Sequence, residues 1–183
     1  QGMKIVLLHA AALAMLPGAN HASPRAQDDI QVTPLVRDGE LFVSFAAPEA
    51  ITAELREAIR SGLVVTFTYG VELRERALLW FDRTLAETEI AASVRYDNLT
   101  RTYHVSRMSD GKVVWSQTTA SEDEVRTWVT GFEHLRVAPA APLVPSAEYH
   151  IDVRASISPR RAWLLWPWGR HDATGRATFT YIR

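Results

Sequence analysis

His150 and Asp152 stand two positions apart in the run Tyr149 to Ile157, so on a strand both side chains leave the same face. An imidazole beside a carboxylate could supply two ligands to a divalent cation, or an acid–base pair. The strand itself is well marked, because Tyr149, Ile151, Val153, Ala155 and Ile157 alternate with His150, Asp152, Arg154 and Ser156. A third ligand is missing. His9, His21, His104, His134 and His171 are scattered, and no two form a His-Glu-x-x-His spacing. A solvated polar strand face is the commoner use of this pattern. The chain has 0 Cys, which removes disulfides, thiolate nucleophiles and cysteine zinc sites together. It also lacks a Gly-x-Ser-x-Gly elbow and a Gly-rich phosphate loop. The expectation is a non-enzymatic protein with no cofactor and no metal.

The other chemically distinctive stretch runs from Arg160 to Arg176. Arg160 and Arg161 lead into Trp163, Leu164, Leu165, Trp166, Pro167 and Trp168, followed by Arg170, His171 and Arg176. Tryptophan is costly to expose, and arginine pairs with aromatic faces and with anionic groups alike. Arg160, Arg161, Trp163, Trp166, Trp168 and Arg170 are therefore the candidate interaction surface, for a protein partner or a membrane surface. The competing expectation is a wide hairpin whose tryptophans complete the core, and it is the more usual outcome. Pro167 breaks the alternation, which places Trp163 inward and Trp166 or Trp168 near the surface. Elsewhere, Trp80 and Asp82 sit between Arg76 and Arg83, a pattern that salt bridges explain. Asn98, Leu99 and Thr100 form a sequon that reads as a turn. The acidic trio Glu122, Asp123, Glu124 suits a helix N-terminus.

These residues must be carried by a β-rich frame. Asp38-Gly39 and Asp110-Gly111 each separate two alternating runs, the strongest short-range hairpin signal. Leu63 to Tyr69 reads as a central strand that Gly70 bends or bulges. Ile90 to Tyr96, Tyr103 to Val105 and Val113 to Trp115 follow as an antiparallel meander. Pro48 to Arg60 has helical spacing, with Gly62 as its C-terminal cap. Ser121 and Glu124 form a capping box ahead of Val125, Trp128, Val129, Phe132 and Leu135, with Trp128 expected as the central anchor. Ala138 to Pro145 reads as a loop, and Ala177 to Tyr181 as the last strand. The fold class expected is α+β and mainly antiparallel, a sandwich or open barrel of about seven or eight strands with two packed helices.

A chain of 183 residues, 47% hydrophobic and 22% charged, fits one such domain. Lys+Arg 20 against Asp+Glu 21 leaves a formal charge of -1, too little field to hold nucleic acid. Gln1 and Gly2 precede Met3 and are expected to be a cloning remnant. Met3, Lys4 and the apolar run Ile5 to Leu16, closed by Pro17 and Gly18, read as a secretory signal over residues 3–22. The run is shorter than the ~20 residues that cross a bilayer. Residues 23–29 then read as a linker and 30–183 as a single domain, exported to the periplasm or elsewhere in a bacterial envelope.

The order of features has a counterpart. The Asp38-Gly39 hairpin, the helix from Pro48, the strand from Leu63 leading to Trp80 and Asp82, and above all Tyr96-Asp97-x-Leu99-Thr100-x-x-Tyr103 resemble the bacterial exported family known as domain of unknown function forty-three-ninety. The resemblance runs from Ile30 to the end and is least close across Arg160 to Arg176. It implies no established activity. Genes of that family lie near a membrane sensor kinase of the nitrogen-regulation type, which implies such a kinase as a partner and envelope signalling as a role. The expected function is thus a periplasmic binding or protein-interaction module. The alternative is a carrier or sensor of an apolar ligand, lipid or peptide, in a barrel groove.

Overall fold

The computed structural model describes residues 29–76, 82–159 and 171–182. Two dipeptides with positive φ set much of its register. Asp38 and Gly39 (φ 53° and 76°) close β1 (Gln31–Arg37) onto β2 (Glu40–Ala46). Asp110 and Gly111 (φ 50° and 73°) close β5 (Thr102–Ser109) onto β6 (Lys112–Thr119). Two successive positive φ values give a mirror-image turn whose twist matches that of the paired strands. Between these hairpins lie β3 (Val65–Glu75) and β4 (Arg83–Asp97). The chain then makes β7 (Gly131–Pro139), β8 (Glu148–Pro159) and β9 (His171–Thr180).

The strands form two antiparallel sheets, ordered β1-β2-β7 and β6-β5-β4-β3-β8-β9. Neither closes into a barrel, so the sandwich is the architecture adopted. It has nine strands among the described residues, where seven or eight were expected. Gly70 does not bulge β3: it stays in register between Glu89 and Arg154, and the irregularity falls between Leu73 and Arg74.

Both helices are shorter than expected, and only Gly62 and Ser121 serve as the predicted caps. A 3-10 turn at Pro48–Ala50 precedes α1 (Ala53–Arg60), which starts afresh because Thr52 Oγ1 accepts the Leu55 N–H at 3.3 Å. Gly62, at φ 88°, ends it. At α2 (Glu122–Thr130) Ser121 Oγ accepts the Glu124 N–H, while the Glu124 carboxylate turns to the Thr119 hydroxyl instead of back to Ser121. Gly131 is already extended, so Phe132 and Leu135 belong to β7 and not to the helix. The expected anchor is corrected too. Val125 and Val129 are buried, whereas Trp128 is half-buried against Trp115, ring edge to ring face at 5.2 Å.

One core joins these layers. Val65, Phe67, Tyr69, Val71 and Leu73 of β3 and Tyr149, Ile151, Val153, Ala155 and Ile157 of β8 all face it. The small sheet adds Leu41, Val43 and Phe45, and α1 adds Leu55, Ala58 and Ile59. Phe45, Tyr69 and Phe132 stack about one another at 5.0–5.2 Å, and the Tyr69 hydroxyl donates to the Val129 carbonyl at 2.8 Å. Burial pushes the Tyr69 phenol well above its usual pKa of 10.0. Ile30 lies across Gly175 of β9 so closely that a Cβ there would fall 2.1 Å from the Ile30 carbonyl oxygen. The helices and the small sheet thus share one face of the six-stranded sheet and leave its other face polar.

Candidate functional site

Pairing of β3 with β8, and of β8 with β9, brings the polar face together. Glu72 lies opposite Asp152, Arg74 opposite His150, and Asp152 opposite Arg176. His150 and Asp152 do share a face, as predicted, yet they are only 5% and 6% exposed. Asp152 is gripped by Arg176 through both carboxylate oxygens, with Nη2 to Oδ2 at 3.0 Å, and Arg74 Nε stands 3.8 Å away. Glu72 accepts from Arg74 Nε at 2.9 Å and from Arg154 at 3.4 Å. His150 Nε2 is 3.2 Å from Asp82 and 3.8 Å from Asp152.

Glu72 and Asp152 are thus held by Arg74, Arg154 and Arg176, while the buried His150 Nε2 lies near Asp82 and Asp152 without a hydrogen bond. Among the described residues no three metal-ligating side chains converge, and a cation at Asp152 would have to displace Arg176. Nor does a serine, threonine or cysteine nucleophile stand in hydrogen-bond contact with His150 there. The cluster is an ion lattice that holds three strands in register. The predicted pairing around Asp82 is redistributed: Asp82 meets His150, Arg76 meets Glu148 at 2.9 Å, and Trp80 lies outside the described residues.

Another arginine works on the inner face. Arg107 of β5 donates to the Trp128 carbonyl at 2.8 and 3.0 Å and to the Gly131 carbonyl at 2.7 Å. Its guanidinium lies 4.4 Å from the Phe132 ring centre and 5.2 Å from that of Trp115. A cation at a helix C-terminus meets the negative end of the helix dipole and its orphan carbonyls. Burial lowers the Arg107 pKa, with Tyr69 and Glu133 opposing the shift. Sequence reasoning missed this residue, since its only signal is an arginine on a strand before a tryptophan-bearing one.

The sheet edges differ in how they are guarded. β1 carries Pro34 and Arg37, and β7 carries Glu133, Arg136 and a left-handed His134 (φ 52°). β9 carries Asp172 and Arg176, and the Ile30 N–H donates to its Thr174 carbonyl at 3.3 Å. Proline, charge and irregularity are the usual devices that keep a free edge from pairing. β6 has a bulge at Val114, since Arg107 pairs Trp115 while Met108 pairs Val113. Beyond it, Trp115–Thr119 carries neither charge nor proline. Val113 and Val114 are 62% and 61% exposed.

The predicted surface residues Arg160, Arg161, Trp163, Trp166, Trp168 and Arg170 lie outside the described residues; in the chain they occupy the connection from β8 to β9. Open clefts flank the sheet, one of about 530 Å³ beside Asp152, Arg154, Thr174, Arg176 and Thr178. The space between α1 and α2 is only about 10 Å³, room for one water at most. Among the described residues no helix is long and apolar enough to cross a membrane. Residues 26–161 match a family described as domain of unknown function (DUF4390). No curated protein and no solved structure matches the chain significantly.

Proposed function

The chain belongs to the DUF4390 family, and we propose that it is a non-enzymatic interaction module of the bacterial cell envelope, engaging a protein partner through a sheet edge. The observation that carries this reading is the β6 edge, where Val113 and Val114 are exposed beside an uncharged, proline-free run. An extended segment that adds to such an edge gains main-chain hydrogen bonds at once. The ion lattice supports a binding role over catalysis, because its carboxylates Glu72 and Asp152 are held by arginines. A carrier of apolar ligands would need a lined cavity, and the inward side chains of β3 and β8 instead fill the sandwich. The apolar run Ile5 to Leu16 supports export, and the class of partner we propose is a membrane sensor kinase.

Photo-cross-linking in cells that make the full chain tests the reading. A photoreactive residue at Val114 is expected to trap a protein in a discrete adduct. The same residue at Leu99, 95% exposed in the β4–β5 turn, is expected to trap none. Equal labelling at both positions, or none at Val114, would sink the reading.

A further inference from the structure

We infer that the segment β6 accepts is an extended stretch of another protein, paired antiparallel to Trp115–Thr119, with lysine or arginine four residues before a bulky apolar side chain. The inference rests on the interaction-module reading above and names the chemistry of its partner. Trp115, Gln117 and Thr119 pair with Arg107, Val105 and Tyr103, so these side chains all leave the helix-covered face of the sheet. Val105 and Tyr103 are buried there. The bulge at Val114 lies before this run, and from Trp115 to Thr119 the register is regular.

α2 gives the two ends of that run different chemistry. Glu124 and Trp128 are four residues apart, on one side of the helix. Trp128 meets Trp115 ring edge to ring face, and both indoles are half-buried, which leaves an aromatic shelf at one end. The Glu124 carboxylate accepts the Thr119 hydroxyl and stands at the other end. Glu122 is spent on Arg56 and Arg60 of α1, at 2.6 Å each, whereas Glu124 makes no ion pair among the described residues. Arg107, 5.2 Å from the Trp115 ring centre, adds positive charge at the aromatic end. The run itself is uncharged, so along about 13 Å of edge the potential passes from positive to negative. In an added strand the residues opposite Trp115 and Thr119 point to the same face as those two. A cation is favoured opposite Thr119 and disfavoured opposite Trp115, where an apolar side chain covers the exposed indole surface. Antiparallel pairing is the more stable per residue and is used throughout this sheet; it places the partner's cation before its apolar residue.

The adduct formed in cells by a photoreactive residue at Val114 of the full chain tests this. Glu124→Gln keeps an acceptor for the Thr119 hydroxyl and removes the charge. It is expected to lower the adduct yield about two- to fivefold, the scale of an exposed ion pair, and Glu124→Lys is expected to lower it further. Asp110→Asn removes an equal charge at the opposite end of β6 and is expected to leave the yield unchanged. Peptide mapping of the adduct is expected to find lysine or arginine four residues before a bulky apolar residue in the trapped segment. Equal yields from Glu124→Gln and the parent chain, a trapped segment without that spacing, or capture of a second copy of this chain would overturn the inference and leave the module reading standing. Absence of any adduct at Val114 removes both.

Discussion

The six-stranded sheet treats its middle and its β6 edge in opposite ways. At the middle, where β3 and β8 adjoin, His150 and Asp152 are buried on the polar face, and Arg176 of β9 holds Asp152. At the edge, valines are left in water. The middle is specified electrostatically, since slipping β8 by two residues would separate Asp152 from Arg176 and His150 from Asp82. The outer side of the edge meets no strand among the described residues. Burying charge without partners is expensive, and exposing apolar edge residues invites association. The difference separates a region that maintains the fold from one left open to a second chain.

The comparison can be broken at its strongest point first. Asp152→Ala leaves Arg176, Arg74 and His150 around an absent carboxylate and is expected to cost about 3 kcal/mol in urea unfolding, the low end for a broken buried pair because Arg176 is half exposed. The double variant Asp152→Ala/Arg176→Ala should recover part of that loss. A cost below ~0.5 kcal/mol would show that the lattice does not hold the middle.

Tyr69→Phe is expected to cost about 1–2 kcal/mol, because the Val129 carbonyl loses a buried donor. The phenol's folded pKa is raised above its unfolded value near 10.0, so its contribution is complete below about pH 10 and fades as pH climbs beyond. Alkaline unfolding of the Phe variant should therefore be less steep. An identical pH slope in both proteins would place the hydroxyl in water. The smallest effect belongs to the edge. Val113→Lys and Val114→Lys are expected to change stability by no more than ~0.5 kcal/mol. A loss above ~1.5 kcal/mol at either would make β6 a structural strand and erase the contrast.

Much of this frame is legible in the sequence, for local reasons. Asp38-Gly39 and Asp110-Gly111 name their turns because positive φ is a property of the residues themselves, and Ser121 names its helix because a cap is made within one turn. The alternation of Tyr149 to Ile157 likewise predicts which residues face the core. Tertiary choices are harder to see. Trp128 has helical spacing and the largest side chain on α2, yet packing gives the centre to Val125 and Val129. Phe132 fits the helical period equally well, but the chain leaves the helix at Gly131 to pair with β2. His150 and Asp152 were visible as a pair, while Arg74, Arg176 and Asp82 come from remote segments that only sheet order brings near. The bare edge was invisible, since a strand's position in a sheet is set by every other strand.

The seat of Ile30 on Gly175 has a consequence for how the chain comes to be folded. The first core residue at the front of the described chain rests on the last strand, so it has nothing to rest on until the β8–β9 hairpin exists. A chain that emerges from its N-terminus must carry Ile30 without its seat until Gly175 has been made, and contacts this distant in sequence form late. Closure of the sandwich over Gly175 thereby waits until the β8–β9 hairpin has formed. A chain cut after Pro159 should stay loose and protease-sensitive despite retaining eight complete strands and both helices.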